Sequence, residues 1–456
     1  MKIKKICCIG AGYVGGPTMA VIAYKCPEIK ITVVDIDNNK INAWNGPLNN
    51  LPIYEPGLEK IIKKVRGKNL FFSNDIDTAI IEAEMIFLAV NTPTKTEGDG
   101  KGMAADLRYV ESSAKHIARV SQNDKIVIEK STLPVKTAEK IKEILEQENS
   151  KVKFEILSNP EFLAEGTAIQ DLFKSDRVLI GGDSTRSGQR AIESLVEIYS
   201  KWIPKNKILK TNIWSSELAK LASNAMLAQR ISSINSLSAI CEKTGADTNE
   251  LSKAIGMDQR IGNKFLQASP GFGGSCFQKD ILNLVYLCRH YGLDEVADYW
   301  HSVVKINDYQ RLRFSRSIIE NFGEKFQNNK VTLLGWAFKE ATNDTRETSA
   351  KFIAKNLLNN GLSIRVFDPL VDEKQIFSDI KELMDNDSFL KDFHISKDIK
   401  SAINNANSIV LINNSKEFID IDWIDLIQKT DSKIKIYDGR NMLKEKLKSY
   451  KYYYSL

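Results

Sequence analysis

Short apolar runs alternate with longer helix-compatible stretches from the start of the chain to about residue 212. The runs predict strands at 3–9, 31–34, 85–90, 125–128, 154–157 and 177–181. Because strands that alternate with helices usually pair in parallel, we expect a parallel sheet with helices on both faces. Open sheets of this class bind ligands at the carboxyl ends of their strands, so the loops there are candidate sites.

The pattern becomes helical between about residues 213 and 325. An apolar stripe at helical spacing is formed by Trp214, Leu218, Leu221, Ala225 and Ala228, and the helix is expected to stop at Gly245. A helix of roughly thirty residues is about 45 Å long, which is enough to join two domains. One candidate for covering its apolar face is the same helix of a second subunit.

The strand and helix alternation returns after about residue 326. Strands are predicted at 331–334, 363–367, 408–412 and 434–437, and the first is followed by Gly335 without a complete glycine fingerprint. This second α/β domain therefore need not bind a dinucleotide. The predicted fold class is α/β, with two Rossmann-like doubly wound domains joined by a long central helix and a helical region. The predicted domains are 1–212, 213–325 and 326–456.

A glycine-rich turn follows the first predicted strand. Gly10 allows a tight turn, Gly12 lets the backbone approach a pyrophosphate, and Gly15 lets helix and strand pack closely. Asp35 ends the second strand, where a carboxylate can bind an adenosine ribose and repel a 2′-phosphate. The pattern predicts a dinucleotide site that prefers NAD to NADP, and the alternative is a tight structural turn.

Composition narrows the class of protein. The chain has 456 residues, 43% hydrophobic and 27% charged, with a net charge of +6 spread along it and no dense basic block, so we expect no nucleic-acid partner. No apolar run reaches the roughly 20 residues that span a bilayer, and the basic start runs straight into the first strand. We expect a cytoplasmic protein with six reduced cysteines, no membrane partner and no metal.

The stretch 273–280, Gly-Gly-Ser-Cys-Phe-Gln-Lys-Asp, is typical of covalent chemistry. A helix that begins near Ser275 would favour the thiolate of Cys276, which is the nucleophilic form. Asp280 lies one helical turn further on and could orient a water molecule or take its proton. The alternative is a buried cysteine behind a flexible loop with an exposed acid.

Two further pairs are candidate catalytic groups. Lys220 and Asn224 are four residues apart in the long predicted helix and could together stabilise an oxyanion. Glu161 and Glu165 follow the 154–157 strand and could serve acid–base chemistry. The alternatives are solvated surface residues for the first pair and helix-start acids for the second.

Eight motifs resemble one enzyme family over nearly the whole chain. They are the segments 10–17, 51–58, 91–96, 159–166, 217–224, 262–265, 271–280 and 345–347. Together they resemble the UDP-glucose 6-dehydrogenases of the UDP-glucose/GDP-mannose dehydrogenase family, particularly the animal form. The resemblance implies an NAD-binding domain, a central helical dimerisation domain and a UDP-sugar-binding domain.

The resemblance also implies a reaction. UDP-glucose is oxidised by four electrons to UDP-glucuronate, with two NAD and one water consumed, through a thiohemiacetal and then a thioester on Cys276. Lys220 and Asn224 stabilise the oxyanions, Asp280 assists the proton transfers, and Glu161 and Thr132 position or activate water. The physical logic is that a thiohemiacetal, unlike a free aldehyde, can give up a second hydride.

The binding residues are implied residue by residue. For NAD they are Gly10, Gly12, Tyr13, Val14, Gly15, Asp35, Lys40, Val90, Asn91, Thr92, Ser131, Thr132, Glu165, Cys276, Lys279 and Arg346. For the UDP-sugar they are Glu161, Phe162, Leu163, Ala164, Glu165, Lys220, Asn224, Arg260, Phe265, Gln267, Ser269, Gly271, Phe272, Gly273, Phe338, Lys339 and Arg440. In the family the residue matching Arg260 reaches the substrate of a neighbouring subunit, so a homo-oligomer is implied.

Some positions depart from the family pattern. Gln267 stands where a lysine is common in the animal form, and Pro270 where a small aliphatic residue is usual. One cationic contact to substrate is therefore missing by this comparison. Two alternatives stay open, a related GDP-mannose or UDP-N-acetylmannosamine dehydrogenase and a catalytically silent NAD-binding assembly protein. The sequence does not determine the oligomer size, which could be a dimer, a tetramer or a hexamer. It does not determine the response to UDP-xylose either.

Overall fold

The computed structural model describes residues 2–322, 329–429 and 433–456. The chain divides into two compact units, residues 1–223 and 224–456, each with its own sheet. No helix within the described residues is long and apolar enough to cross a membrane.

The first unit is built on an eight-stranded sheet. Its strands are β1 (Lys5–Ile9), β2 (Lys30–Val34), β3 (Leu70–Ser73), β4 (Met85–Leu88), β5 (Lys125–Glu129), β6 (Phe154–Ser158), β7 (Val178–Gly181) and β8 (Ile208–Thr211). Their order is β3-β2-β1-β4-β5-β6-β7-β8. The six strands predicted in this part of the chain are confirmed, whereas β3 and β8 were not predicted.

The expectation of a wholly parallel sheet is wrong at one place. β6 and β7 pair antiparallel and meet at Ser158 and Gly181, while β7 and β8 are again parallel to each other. The helix between β6 and β7 has six residues and rises about 9 Å. The connection therefore lacks the full-length helix that usually carries the chain back along a strand in a parallel crossover.

Helices cover both faces of this sheet, each over its own hydrophobic core. They are α1 (Gly15–Lys25), α2 (Asn38–Asn45), α3 (Leu58–Val65), α4 (Ile76–Glu82), α5 (Arg108–Val120), α6 (Thr137–Glu148), α7 (Ala168–Phe173) and α8 (Arg186–Tyr199). β1 lies in the middle of the order and contributes to both cores, where Cys7 and Cys8 are fully buried as expected of small hydrophobic residues. This central strand places the glycine turn at the carboxyl edge of the sheet.

The long predicted helix is α9 (Ile213–Thr244), with 32 residues. Three members of the predicted apolar stripe are buried, namely Leu221, Ala225 and Ala228. The other two depart from the prediction, since Trp214 is 47% and Leu218 43% exposed. The buried side at the start of α9 is polar instead, because it carries charged groups of the candidate site.

The second unit contains three more central helices and a six-stranded sheet. The helices are α10 (Thr248–Gly256), α11 (Phe277–His290) and α12 (Asp294–Phe322). The strands are β9 (Lys330–Leu334), β10 (Ser363–Phe367), β11 (Phe393–Ile395), β12 (Ser408–Leu411), β13 (Lys435–Asp438) and β14 (Tyr453–Ser455). The remaining helices are α13 (Ser349–Asn359), α14 (Glu373–Leu383), α15 (Ile399–Ile403), α16 (Lys416–Ile419), α17 (Trp423–Lys429) and α18 (Lys444–Leu447).

All neighbours in the second sheet are parallel, in the order β11-β10-β9-β12-β13-β14. The four predicted strands are present, and the two edge strands β11 and β14 were missed because each has only three residues. Two hydrophobic clusters again cover the two faces. The prediction of two doubly wound α/β sheets is therefore confirmed.

Candidate active site

The turn between β1 and α1 has the geometry of a dinucleotide site. Gly10 has φ +110°, and a Cβ there would lie 2.3 Å from the carbonyl oxygen of Ala89. A Cβ on Gly15 would lie 2.0 Å from the carbonyl oxygen of Gly10, so both positions require glycine. A Cβ on Gly12 would meet nothing within 4 Å. This open space at a helix start is where a pyrophosphate can approach the backbone, so the residues fit the cofactor.

Asp35 is held beside this turn. Its Oδ2 accepts hydrogen bonds from the Ala11 amide at 2.9 Å and from Lys40 Nζ at 3.0 Å, and its Oδ1 accepts one from the Asp37 amide. Burial opposes ionisation, but these donors outweigh it and hold the pKa of Asp35 below its usual value. Asp35 is therefore an anionic acceptor at the position expected for a ribose hydroxyl, and Lys40 lies against it.

The loops after β4 and β5 bring four more expected cofactor residues together. Ser131 Oγ donates to the Val90 carbonyl at 2.6 Å, and Thr92 Oγ1 donates to the Thr132 carbonyl at 3.2 Å. Both loops lie at the carboxyl ends of adjacent parallel strands. The hydrogen bonds fix the two loops to each other, so Thr132 has a defined position.

Glu161 and Lys220 form a buried ion pair. Lys220 Nζ lies 3.3 Å from Glu161 Oε1, and both side chains are less than a tenth exposed. Glu161 Oε2 also accepts a hydrogen bond from the Leu163 amide at 3.1 Å. The alternative of a solvated Lys220 is wrong, because a buried charge is retained only where it is paired or functional.

Phe162 has two cations of the same unit close to its ring. The guanidinium carbon of Arg177 is 3.8 Å from the centroid of its ring, and Lys220 Nζ is 5.4 Å from it. Arg177 also donates from Nη2 to Ser223 Oγ at 3.2 Å. The aromatic ring expected to contact substrate is thus fixed by a stacked arginine, which sequence reasoning did not single out.

Glu55 fastens the loop that carries these residues. Its two carboxylate oxygens accept hydrogen bonds from the amides of Gly166 at 2.7 Å and Ala168 at 3.1 Å. The side chain is buried, so the interaction is not weakened by water. The 51–58 motif carried the family resemblance without an assigned role, and this contact gives it one.

Cys276 stands at the start of α11, as expected. It is the residue before the first helical position, and its carbonyl accepts the Asp280 amide at 2.8 Å. Ser275 Oγ lies 3.3 Å from Cys276 Sγ. The alternative of an exposed acid is wrong, because Asp280 is 1% exposed and accepts a hydrogen bond from Asn224 Nδ2 at 2.6 Å.

Side chains of α9 and α12 hold the loop before Cys276. Asn307 Oδ1 accepts the Phe272 amide at 2.8 Å, and Asn307 Nδ2 donates to the Phe272 carbonyl. Arg311 donates to the carbonyls of Phe272 and Glu347, and Asn235 accepts the Ser269 amide. Sequence reasoning missed these three holders. The sequence carries no signal for them, because only the structure shows that these polar residues are buried.

The double glycine lies against the first loop of the second sheet. A Cβ on Gly273 would be 2.6 Å from the Glu347 carbonyl oxygen, and one on Gly274 would be 3.0 Å from the Phe338 ring. The Gly274 amide donates to the Arg346 carbonyl at 2.8 Å. Phe338 and Arg346, both expected at the site, are thereby brought to the loop of Cys276.

Three other expected ligand residues are exposed or have partners outside the groups described above. Arg260 is 89% exposed and pairs with its neighbour Asp258 at 2.6 Å. Gln267 is exposed, and Arg440 reaches Asn414 at 3.5 Å. The residues of the expected site divide between the two units, with those up to Lys220 in the first and those from Asn224 in the second. Among the described residues no cluster of His, Cys, Asp and Glu could hold a metal ion.

Three family models match the chain, and all belong to the UDP-glucose/GDP-mannose dehydrogenase family. The NAD-binding domain matches residues 4–203, the central domain 214–309 and the UDP-binding domain 332–445. UDP-glucose 6-dehydrogenase of Bos taurus is 54% identical over 446 residues, which are 97% of this chain and 90% of that protein. UDP-glucose 6-dehydrogenase 4 of Arabidopsis thaliana is 54% identical over 96% of this chain and 93% of its own.

A solved structure shows the same architecture. The UDP-glucose dehydrogenase of the hyperthermophilic archaeon Pyrobaculum islandicum is 28% identical, has a TM-score of 0.85, and covers 99% of this chain and 97% of its own. The sequence resemblance, the doubly wound sheets and the glycine turn agree with these matches. The chain belongs to the UDP-glucose/GDP-mannose dehydrogenase family.

Proposed function

We propose that this protein oxidises UDP-glucose to UDP-glucuronate with NAD, through a covalent intermediate on Cys276. The observation that carries the proposal is the start of α11, where Cys276 precedes a buried Asp280 that Asn224 holds at 2.6 Å. The 54% identity to UDP-glucose 6-dehydrogenases of animals and plants supports the choice of sugar nucleotide.

NAD fits the glycine turn and Asp35 of the first unit. Gly12 leaves open space for the pyrophosphate, and the anionic Asp35 favours a free ribose hydroxyl over a phosphorylated one. When bound, NAD supplies the hydride acceptor for both oxidations. The chain itself contributes the groups that bind the sugar nucleotide, capture the aldehyde and move protons.

Addition of the Cys276 thiolate to the aldehyde forms the substrate of the second oxidation. The C6 alcohol loses a hydride and a proton to become an aldehyde, and the Cys276 thiolate adds to its carbon to form a C–S bond and an oxyanion. Loss of a second hydride converts this thiohemiacetal into a thioester. The helix start favours the thiolate, because the partial positive charge there stabilises an anion.

Lys220 and Asn224 are the donors proposed for the oxyanion. They lie one turn apart on α9, and both are buried, which strengthens their electrostatic effect. Asp280 already accepts a hydrogen bond from Asn224, so its carboxyl group has a defined orientation from which it assists proton transfer.

Glu161 and Thr132 are proposed to act in hydrolysis. Glu161 takes the proton of a water molecule that attacks the thioester carbon, and Thr132 helps to position that water. The C–S bond breaks, the thiolate leaves and the carboxylic acid is released. The hydrogen bond from the Leu163 amide to Glu161 supports this role by orienting the carboxylate.

Sugar-nucleotide binding is proposed for Phe162, Leu163, Phe265, Phe338 and Arg440, together with the loop before Cys276. Phe265 has φ +61°, an uncommon conformation for a bulky residue and one that clusters at ligand sites. Arg260 is proposed to reach the substrate of a neighbouring subunit. Its side chain is 89% exposed and its ion pair is with Asp258, only two residues away, so it is accessible to a second subunit.

A dimer through α9 accompanies this proposal. Trp214, Leu218 and Met226 are 43 to 52% exposed on that helix, and such apolar area is typical of an interface. A cytoplasmic location is proposed with it. The dimer and the cytoplasmic location both follow from the expectation for the family. The mass of the protein in solution tests the dimer, and cell fractionation tests the location.

An assay with several sugar nucleotides tests the function. We expect NADH to form with NAD and UDP-glucose, two per sugar consumed, and much less to form with GDP-mannose or UDP-N-acetylmannosamine. Preference for another sugar nucleotide would show that the protein is a related dehydrogenase with that substrate specificity. No turnover with any of them, despite NAD binding, identifies a silent NAD-binding protein.

A further inference from the structure

Lys130 is a second buried cation beside the Glu161–Lys220 pair. It follows β5 directly and is 3% exposed. Its Nζ lies 3.2 Å from Asn159 Oδ1 and 3.4 Å from the Tyr199 hydroxyl. Neither of these neutral oxygens cancels its charge, so the ammonium depends on a carboxylate nearby for electrostatic compensation.

Glu161 is that carboxylate, because it lies two residues after Asn159, whose side-chain oxygen receives the Lys130 ammonium. Among the groups that act on Lys130, burial lowers its pKa to about 8, Glu161 raises it, Lys220 lowers it and Cys8 raises it. Below about pH 8 the group carries its proton, so the ammonium groups of Lys130 and Lys220 both act on one carboxylate in a buried region. That region has one surplus positive charge, which an oxyanion on the substrate would neutralise.

A rigid network holds Lys130 in this position. The Tyr199 hydroxyl donates to Asn159 Oδ1 at 2.7 Å, and Asn159 Nδ2 donates to the Leu179 carbonyl at 2.7 Å. The Asn159 amide also donates to the Glu129 carbonyl. Asn159 and Tyr199 are both buried, so the oxygens that receive the ammonium cannot turn to solvent.

We infer that Lys130 is a positioning residue that holds a second positive charge near Glu161 when Lys220 turns to the substrate oxyanion. If Lys220 alone balanced Glu161, its movement toward an oxyanion would leave a buried carboxylate unpaired, which favours protonation of the base. A second buried cation that acts on Glu161 removes that conflict. This inference rests on the proposed function of Glu161 as the base for water.

The test is the pH dependence of kcat for Lys130→Met. Lys125→Met is the matched control, because Lys125 is also a lysine of the β5 segment, 3% exposed, but donates to the Ile81 and Ala83 carbonyls instead. In the acidic limb of the profile, kcat falls as pH falls, and we expect Lys130→Met to shift this limb to higher pH by about one unit. The result is a roughly tenfold loss of kcat at low pH that fades toward pH 9. KM for the sugar nucleotide should stay within about twofold, and Lys125→Met should keep the wild-type limb.

Two further variants secure the result against misfolding. Lys130→Gln keeps a donor for Asn159 and Tyr199 without the charge and should show the same displacement, whereas Lys130→Arg should restore the wild-type limb. An unmoved limb in both neutral variants, or equal loss at every pH, overturns the inference.

Failure of the proposed function looks different in the same assay. It appears as a wild-type protein that does not reduce NAD with UDP-glucose, and the limb is then measured with whichever sugar nucleotide the wild type accepts. A wild-type protein that is active while Lys130 variants keep its profile refutes only the role of Lys130.

Discussion

Asn224 Nδ2 donates a 2.6 Å hydrogen bond to Oδ2 of Asp280, and both side chains are buried. The bond joins α9 to the first turn of α11, one turn beyond Cys276. A buried carboxylate that lost this donor would be left with less compensation for its charge. The pair therefore orients the acid that the proposed mechanism places beside the thiol.

Replacing Asn224 by Asp should make activity fall steeply as pH rises. Two carboxylates at this distance cannot both ionise without repulsion, so the pair shares a proton at low pH and loses it at high pH. We expect kcat about 10²-fold below wild type at pH 9 and a smaller deficit near pH 6. Asn249→Asp, on the exposed face of α10, is the control and should follow the wild-type profile. A deficit independent of pH would count against the shared proton.

Replacing Asp35 by Asn should weaken the preference for NAD. The amide keeps an oxygen for the Ala11 amide but removes the charge that repels a 2′-phosphate and leaves Lys40 available to attract one. We expect the kcat/KM ratio of NADP to NAD to rise about tenfold or more, which is about 1.4 kcal/mol. Asp37→Asn, two residues away and exposed, should leave the ratio unchanged.

Replacing Arg177 by Leu should raise KM more than it lowers kcat. The guanidinium stacks on Phe162 at 3.8 Å, and its loss frees the ring proposed to contact the sugar nucleotide. A cation–π contact of about 1 kcal/mol corresponds to roughly a fivefold rise in KM. Arg190→Leu, exposed on α8, should change neither constant. A fall in kcat at constant KM would assign Arg177 to the chemical step instead.

Glu129 and Glu217 form a buried pair of carboxyl groups in the first unit. Glu217 accepts the amides of Lys136 and Ala138 at 2.8 Å each. Neither oxygen of Glu129 accepts a hydrogen bond from an amide or hydroxyl among the described residues. Burial, and then the Glu217 charge, raise the pKa of Glu129 well above its ordinary value, so Glu129 is the protonated partner that donates to Glu217.

Glu129→Gln should therefore stabilise the protein above pH 4.5. A carboxyl whose folded pKa is raised costs nothing below its unfolded pKa and destabilises increasingly as pH rises toward the folded pKa. Glutamine keeps a donor for Glu217 without that cost, so Tm should exceed wild type at pH 8 by about 2 to 4 °C for each kcal/mol gained. The gain should shrink as pH falls toward about 4.5, and Glu146→Gln on the exposed face of α6 should show none. A variant that melts below wild type at pH 8 contradicts the protonation assigned here.

The parts of the site that sequence predicted are those fixed by neighbours along the chain. The glycine turn, Asp35 and the helix start at Cys276 each depend on a few adjacent residues, and each lies where the pattern placed it. Helix periodicity likewise predicted α9 closely, because a 32-residue helix is a strong local signal.

The parts that sequence missed depend on remote partners. Asn307 and Arg311 hold the loop of Cys276 from 35 to 39 residues away, and Glu55 binds amides more than 100 residues away. No local pattern distinguishes these polar residues from exposed ones. The exposure of Trp214 and Leu218 was missed for the same reason, since only tertiary structure buries the charged side of α9.

The mass of the Cys276 peptide from a Glu161→Gln variant tests the covalent route most directly. This variant lacks the proposed base for water, so turnover with NAD and UDP-glucose should stop at the thioester. After an acid quench, we expect the peptide containing Cys276 to carry a UDP-glucuronyl group, with two NADH released per active site. An unmodified Cys276 peptide, with NADH nonetheless produced, would contradict it.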